Sequence, residues 1–309
     1  MHKLGFTETV FADDFNCWKT YSRKQLPAQV KAELGLRAAQ RELHRWGEAN
    51  RVVFDPAKES FHLLHRTLHR GDNFRLLGVH FDPQLRMDAA AHVVATEAGW
   101  RLQKLLRARR YYSDREVVHL YKAQVLSYLE SSTPGLYHAA RAVLDRVDRV
   151  QRRLLRALSA SESQGLLDYN LAPLPSRRDI AMLAVLHKVV LGVAPAQLAA
   201  LFPVLGAVVE PVGLQRLRGW RPRHNKQLAT PAGYRSTDVL KRSLFGLVQC
   251  YNFLPQKVVD CKSVKLFQRA LQNGLKAHAQ QEPDEQRWQR MLSTGWRSFS
   301  RQGFDCFFA

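Results

Sequence analysis

The hydrophobic rhythm of this chain begins as a strand period and becomes a helix period. Between Thr9 and Tyr21, strand-forming residues come in two short runs, Thr9-Val10-Phe11 and then Phe15, Trp18, Thr20 and Tyr21, split by Asp13-Asp14. Aromatic and β-branched side chains favour extended backbone and short polar ones favour tight turns, so the pattern predicts a hairpin with acid at its tip. Residues 26–50 switch to a helical spacing, with Pro27 in a position that a first turn tolerates and Val30, Leu34, Leu43 and Trp46 on a loose apolar face. A short strand is predicted over 51–55, ended by Pro56. Residues 61–68 and 74–81 follow as extended runs of a second hairpin turning at Gly71-Asp72-Asn73.

From Asp88 onward the spacing is helical. Segments 89–109 and 114–130 are amphipathic, the second through Val117, Leu120, Tyr121, Val125 and Tyr128. Segment 144–158 carries an apolar stripe (Val143, Val147, Val150, Leu154, Leu158) and a second stripe of Arg146, Arg149, Arg153 and Arg156 at i, i+3, i+7 and i+10. A row of one sign without interleaved acids suits a phosphate backbone, and a solvated helix face explains it equally well. Ser176-Arg177-Arg178-Asp179 has the form of a capping box for a helix over 180–191. Residues 203–234 are rich in Gly, Pro and Arg, include Trp220, and keep no period, which predicts a mobile basic linker able to grip a single strand or merely to stay soluble. Two more helices are predicted over 236–250 and 263–279, the latter through Val264, Phe267, Leu271 and Leu275. The fold class expected is α+β: a small antiparallel β part over 1–86, a helical domain over 87–202, the linker over 203–235 and a C-terminal helical segment over 236–309.

Composition narrows the partners. With 47 Lys+Arg against 27 Asp+Glu the chain has a formal charge of +20, which argues for a polyanionic partner held through its phosphates, or else for solubility alone. Cys17, Cys250, Cys261 and Cys306 are too far apart for a zinc knuckle and suggest reduced thiols. No apolar run reaches the ~18 residues of a membrane span and the N-terminus lacks a signal-peptide core, so no membrane partner and an intracellular place, nucleus or cytoplasm, are expected. Asp13 and Asp14 are either a surface turn or ligands of a hard divalent cation. His62, His65 and His69 would not share a face in an extended run, so a metal site there is disfavoured.

The succession of these pieces carries a resemblance. Phe11-Ala12-Asp13-Asp14, a helix ending near Trp46, Asn50 through Lys58 and Phe74-Arg75-Leu76-Leu77-Gly78-Val79 resemble the later part of a non-LTR retrotransposon reverse transcriptase palm. Gln151-Arg152-Arg153-Leu154-Leu155-Arg156, Leu171-Ala172-Pro173-Leu174-Pro175-Ser176-Arg177-Arg178 and Tyr251-Asn252-Phe253-Leu254-Pro255 resemble segments that follow that palm, so the likeness runs over roughly residues 5–276. It implies Asp13 as a catalytic metal ligand with Asp14 beside it, Lys58 as a proton donor to pyrophosphate, and Leu77-Gly78 in a strand pair that grips the primer end. The 1–86 segment would be a palm remnant and the helices after Asp88 a thumb, with Arg146, Arg149, Arg152, Arg153 and Arg156 on a template-primer duplex of RNA and DNA. The chemistry implied is RNA-directed DNA synthesis, nucleotidyl transfer with Mg²⁺ or Mn²⁺ in a completed site and otherwise no cofactor.

Two departures qualify the resemblance. Asn50-Arg51-Val52 stands where many relatives have Asn-Gly-Leu. Only ten residues precede Phe11, leaving no room for the fingers or for the earlier palm aspartate. The expectation is therefore a truncated product or a partial gene model that makes no DNA alone, with an N-terminal part less stable than the helices. Two other classes fit the same residues: a non-catalytic nucleic-acid-binding helical protein, and a helical interaction protein whose charge is incidental.

Overall fold

A computed structural model describes residues 5–11, 14–21, 28–64, 73–205, 223–230, 233, 237–282, 284–285 and 296. The chain divides into two units, 1–63 and 64–309.

In the first unit the predicted hairpin is present. Strands β1 (Thr7–Phe11) and β2 (Asp14–Trp18) are antiparallel, in register from Thr7 opposite Trp18 to Phe11 opposite Asp14. Helix α1 (Ala28–Asn50) follows, but its buried side is made by small residues, Ala32 and Ala39, while Val30, Leu34 and Trp46 lie outward. The chain turns back tightly at its end. Arg51 takes a left-handed conformation, the Val52 amide donates to the Gly47 carbonyl at 2.8 Å, and a Cβ on Gly47 would lie 2.6 Å from the Val52 oxygen. Only a glycine admits that approach. The strand expected over 51–55 is absent. Asp55 instead accepts from the Ala57 amide at 3.0 Å and starts a 3₁₀ turn, Pro56–Lys58, because proline supplies no donor for a strand ladder. Glu59 then fixes this segment to α1, accepting from Gln40 Nε2 and meeting His44 Nε2, each at 2.6 Å.

The second unit opens with a correction. The run 74–81, expected as one strand, is itself a hairpin: β3 (Phe74–Leu76) and β4 (Val79–Phe81) pair antiparallel, and the Phe74 and Phe81 rings stack at 5.4 Å. Leu77 and Gly78 form the turn, with φ of 46° and 83°. Two successive positive φ values make a type I′ turn, whose twist matches the strands it joins. Of the turn expected at Gly71-Asp72-Asn73, residues 71–72 lie outside the described residues, as do 65–68 of its first strand, while 61–64 are not strand.

Helices fill the rest. Helix α2 (Asp88–Arg107) leads to α3 (Asp114–Tyr121), which Ser113 and Glu116 open with a capping box. The run continues through a π turn, Lys122–Leu126, into α4 (Ser127–Ser131); the wider turn keeps Tyr121, Val125, Leu126 and Leu129 all buried. Helices α5 (Thr133–Leu136) and α6 (Arg141–Ala157) complete a first core, which also takes in Leu171 and Leu174 and is covered at one side by Val79 and Phe81. Helices α7 (Glu162–Tyr169), α8 (Leu174–Val190) and α9 (Ala196–Ala199) follow, then α10 (Asp238–Arg242), α11 (Leu244–Asn252), α12 (Gln256–Val259) and α13 (Val264–Gln281). Ile180, Leu183, Leu186, Tyr251, Phe267, Leu271 and Leu275 anchor a second core.

Helix α8 starts one turn before the expected capping box. Pro173 takes the cap position and Pro175 the first turn, where prolines lose no hydrogen bond, so Ser176 is fully buried inside the helix rather than at its cap. The expected mobile linker is also docked in part. Residues 206–222, with Trp220, lie outside the described residues, whereas Leu228 is fully buried and bridges Val204 antiparallel, with His224 and Gln227 buried beside it. Among the described residues no helix is long and apolar enough to cross a membrane. The α+β class stands: two small antiparallel sheets and a predominantly helical remainder.

Candidate nucleic-acid interface

The arginine row lies where the spacing places it. On α6, Arg146, Arg149, Arg153 and Arg156 are exposed, opposite the buried Val143, Leu144, Val147, Val150, Leu154 and Leu155, and Arg152 is half-buried at the edge. From Arg146 to Arg156 the row runs ten residues, about 15 Å at the helical rise.

The row is not free of acid, which corrects the expectation. Asp145 lies one turn before Arg149 and two before Arg152, on the same face, and pairs with both, with Arg149 at 2.9 Å. Arg146 reaches Asp88 of α2 at 3.7 Å. Partial burial works against the Asp145 carboxylate, yet the hydrogen bonds and charge of Arg152 and Arg149 hold its pKa below the usual range. Arg153 and Arg156 have no acidic partner among the described residues; the Arg156 Nε donates only to the Arg152 carbonyl at 3.4 Å. Asp148 is not available to the row, because Arg178 grips it bidentately at 2.6 and 2.9 Å.

The second candidate feature is the β3–β4 tip. Leu77 is 55% exposed although apolar and left-handed, a conformation that a β-branched or bulky side chain adopts at a cost. The hairpin below it is well seated: a Cβ on Gly135 would lie 2.8 Å from the Val79 Cγ1, so strand and helix meet there without room for a side chain.

The acidic tip is the third. Asp14 is exposed at the start of β2, and Asp13 lies outside the described residues. Lys58 is exposed at the end of the 3₁₀ turn in the same unit, whereas Leu77, Gly78 and the five arginines belong to the other. Among the described residues no group of three or more His, Cys, Asp or Glu comes together. A two-metal site needs carboxylates converging from separate elements, and of the metal pair that the resemblance implies only Asp14 is among the described residues.

Other polar groups come together unforeseen. Asp179 accepts from the Tyr137 hydroxyl at 2.5 Å and from the Trp296 amide at 2.7 Å, beside the Arg178–Asp148 pair. Against a burial penalty that lowers it, the charge of Asp148 raises the Arg178 pKa further above its ordinary value. Next to this network a cleft of about 310 Å³ is floored by Leu129, Leu144, Val147 and Ile180, and its outer cation, Arg177, is held by Glu130 at 2.6 Å. Only long-range pairing reveals this cluster; the i+4 spacing of Asp145 and Arg149 was the one signal in the sequence for the acid on the basic face.

No family model, no curated protein and no solved structure matches this chain.

Proposed function

We propose that the chain is the later palm and thumb portion of a non-LTR reverse transcriptase lineage, and that these residues serve to hold a nucleic-acid duplex by its backbone. The observation that carries this reading is the outward arginine row of α6, with Arg153 and Arg156 unneutralised among the described residues on a rigid 17-residue helix. Its ~15 Å reach corresponds to about four phosphates of one strand at ~3.4 Å each along the axis. The exposed, left-handed Leu77 supports a contact at the β3–β4 tip, since no packing explains an apolar side chain there. Asp13, Asp14 and Lys58 keep the assignment that the resemblance implies, as remnants of metal-dependent nucleotidyl transfer.

Salt-dependent binding tests this. Affinity for an RNA/DNA hybrid should fall with ionic strength, and Arg153→Ala with Arg156→Ala should flatten the log-log slope by about 2, one unit per phosphate contact. A slope near zero in the unaltered protein would remove the backbone-tracking surface. Primer extension with Mg²⁺ should show no synthesis by the chain alone; dNTP incorporation abolished by Asp13→Ala would overturn the binding-only role. The internal pairing of Asp145 with Arg149 and Arg152 favours a second reading, a helical interaction protein with a solvated basic face, which a zero slope would select.

A further inference from the structure

The outward face of α2 and the turn after it are not used by the duplex reading. Trp100, Lys104 and Arg107 recur at helical spacing on one side of α2, all exposed, and the turn after the helix carries Arg110, Tyr111 and Tyr112, exposed as well. Trp100, Tyr111 and Tyr112 are 57, 70 and 44% exposed. The turn that bears the tyrosines is held from both sides. The Tyr111 and Tyr112 amides donate to the Ala108 and Arg109 carbonyls, each at 3.0 Å, and Arg109 pairs with Asp114 at 3.1 Å across the turn. The Ser113–Glu116 capping box fixes the next residue. Rings on so rigid a base lose little freedom when something stacks on them.

Charge identifies the occupant. The acids of this surface are already engaged: Glu97 by Arg101 at 2.9 Å, Asp114 by Arg109, and Glu116 in its capping box. Lys104, Arg107, Arg110 and Arg115 have no carboxylate partner among the described residues. The Arg110 guanidinium lies 4.7 Å over the Tyr111 ring, covering one face, while the exposure of Tyr111 leaves the other to solvent. A partner that offers flat apolar rings and negative charge in alternation is a nucleic-acid strand, and only an unpaired strand presents its base faces. We propose that Trp100, Tyr111 and Tyr112, with Lys104, Arg107 and Arg110, form a stacking site for single-stranded nucleic acid. This inference rests on the nucleic-acid reading above but uses none of the α6 arginines.

The test compares fluorescence anisotropy of the full chain with a blunt RNA/DNA hybrid, the same hybrid with a single-stranded overhang, and an oligo-dT strand. Tyr111→Ala with Tyr112→Ala should weaken oligo-dT and the overhang's added affinity at least fivefold while blunt-hybrid binding stays within twofold, since stacking is worth ~1–3 kcal/mol per base. Trp100→Ala should act in the same direction. Both sites are exposed, and an unchanged thermal midpoint shows that folding is intact. Equal losses on all three ligands, or none on any, overturn the stacking site; loss of self-association in sedimentation without loss of oligo-dT binding makes the surface a protein contact instead. If the unaltered chain binds oligo-dT but not the blunt hybrid, the stacking site stands and the duplex reading falls.

Discussion

Arg178 and Asp148 are 10% and 14% exposed, and each is the other's bidentate partner. Removing one side of such a pair strands a charge in a poorly hydrated place, a cost of about 3–5 kcal/mol, whereas replacing both by apolar residues is often close to neutral. Asp148→Ala should therefore lower the stability of the helical unit by about 3 kcal/mol in urea titration, and Arg178→Met with Asp148→Leu should recover most of it. A double variant as unstable as the single one would show that the pair's neighbours, not its charge, carry the effect. Asp179 next door follows the same logic: each of its two oxygens accepts a hydrogen bond, from Tyr137 and from Trp296, which gives this buried carboxylate a structural role.

Among the elements, the β3–β4 hairpin separates stability from function most cleanly. Asparagine takes a left-handed conformation more readily than leucine, which adopts it at a cost, so Leu77→Asn should stabilise the hairpin by about 0.5 kcal/mol. If Leu77 contacts nucleic acid, the same change should weaken hybrid binding; a variant both more stable and equally tight would remove the tip from the interface. The hairpins also show what local sequence conveys. The first hairpin was foreseen because two strand-forming runs flank Asp13-Asp14, although Asp14 itself pairs with Phe11 as the first residue of β2, while Leu77-Gly78 was taken for strand because leucine is a rare first residue of a type I′ turn. Periodicity alone placed the α6 row, since a helix face is a property of spacing. Its ion pairs with Asp145 could be read from the same spacing, but the one with Asp88 depends on how α2 packs on α6. The docking of residues 223–230 was beyond reach for the same reason: Leu228 is buried against residues distant in sequence, and a polar Gly- and Arg-rich run carries no period that announces it.

At the scale of the molecule, that docked segment contributes to the response to acid. His187 donates from Nε2 to the Cys261 carbonyl at 2.8 Å and accepts at Nδ1 from the Tyr251 hydroxyl, while His224 donates from Nε2 to the Tyr251 carbonyl and accepts at Nδ1 from the Lys226 amide at 3.1 Å. The His224 ring is thus neutral, since a proton on its Nδ1 would face an amide that can only donate. Burial lowers the pKa of His187 and His138, and carries His224 down to about 4. Since these folded-state values lie below the unfolded one, their stabilisation is complete above pH ~6.5 and is lost as the pH falls toward 4, with His224 contributing on the order of 2 kcal/mol after allowance for solvent. The urea midpoint should drop between pH 6.5 and 5, before most carboxylates titrate, and His224→Gln should flatten that drop; a level profile over this interval would remove the histidines from the account. The first unit differs in kind. Its buried apolar residues among those described are Phe6, Ala32 and Ala39, whereas Val10, Trp18, Leu34, Trp46 and Val53 are outward, so little apolar burial supports it.

Helix α8 contributes Leu174 to the first core of the larger unit and Ile180, Leu183, Leu186 and Val189 to the second. One rod is thus a wall of both rooms, so the two should lose their order together. In a calorimeter the larger unit should take up heat in one peak whose van't Hoff and calorimetric enthalpies agree. Leu183→Ala, a change confined to the second core, should move that whole peak downward in temperature rather than split it in two.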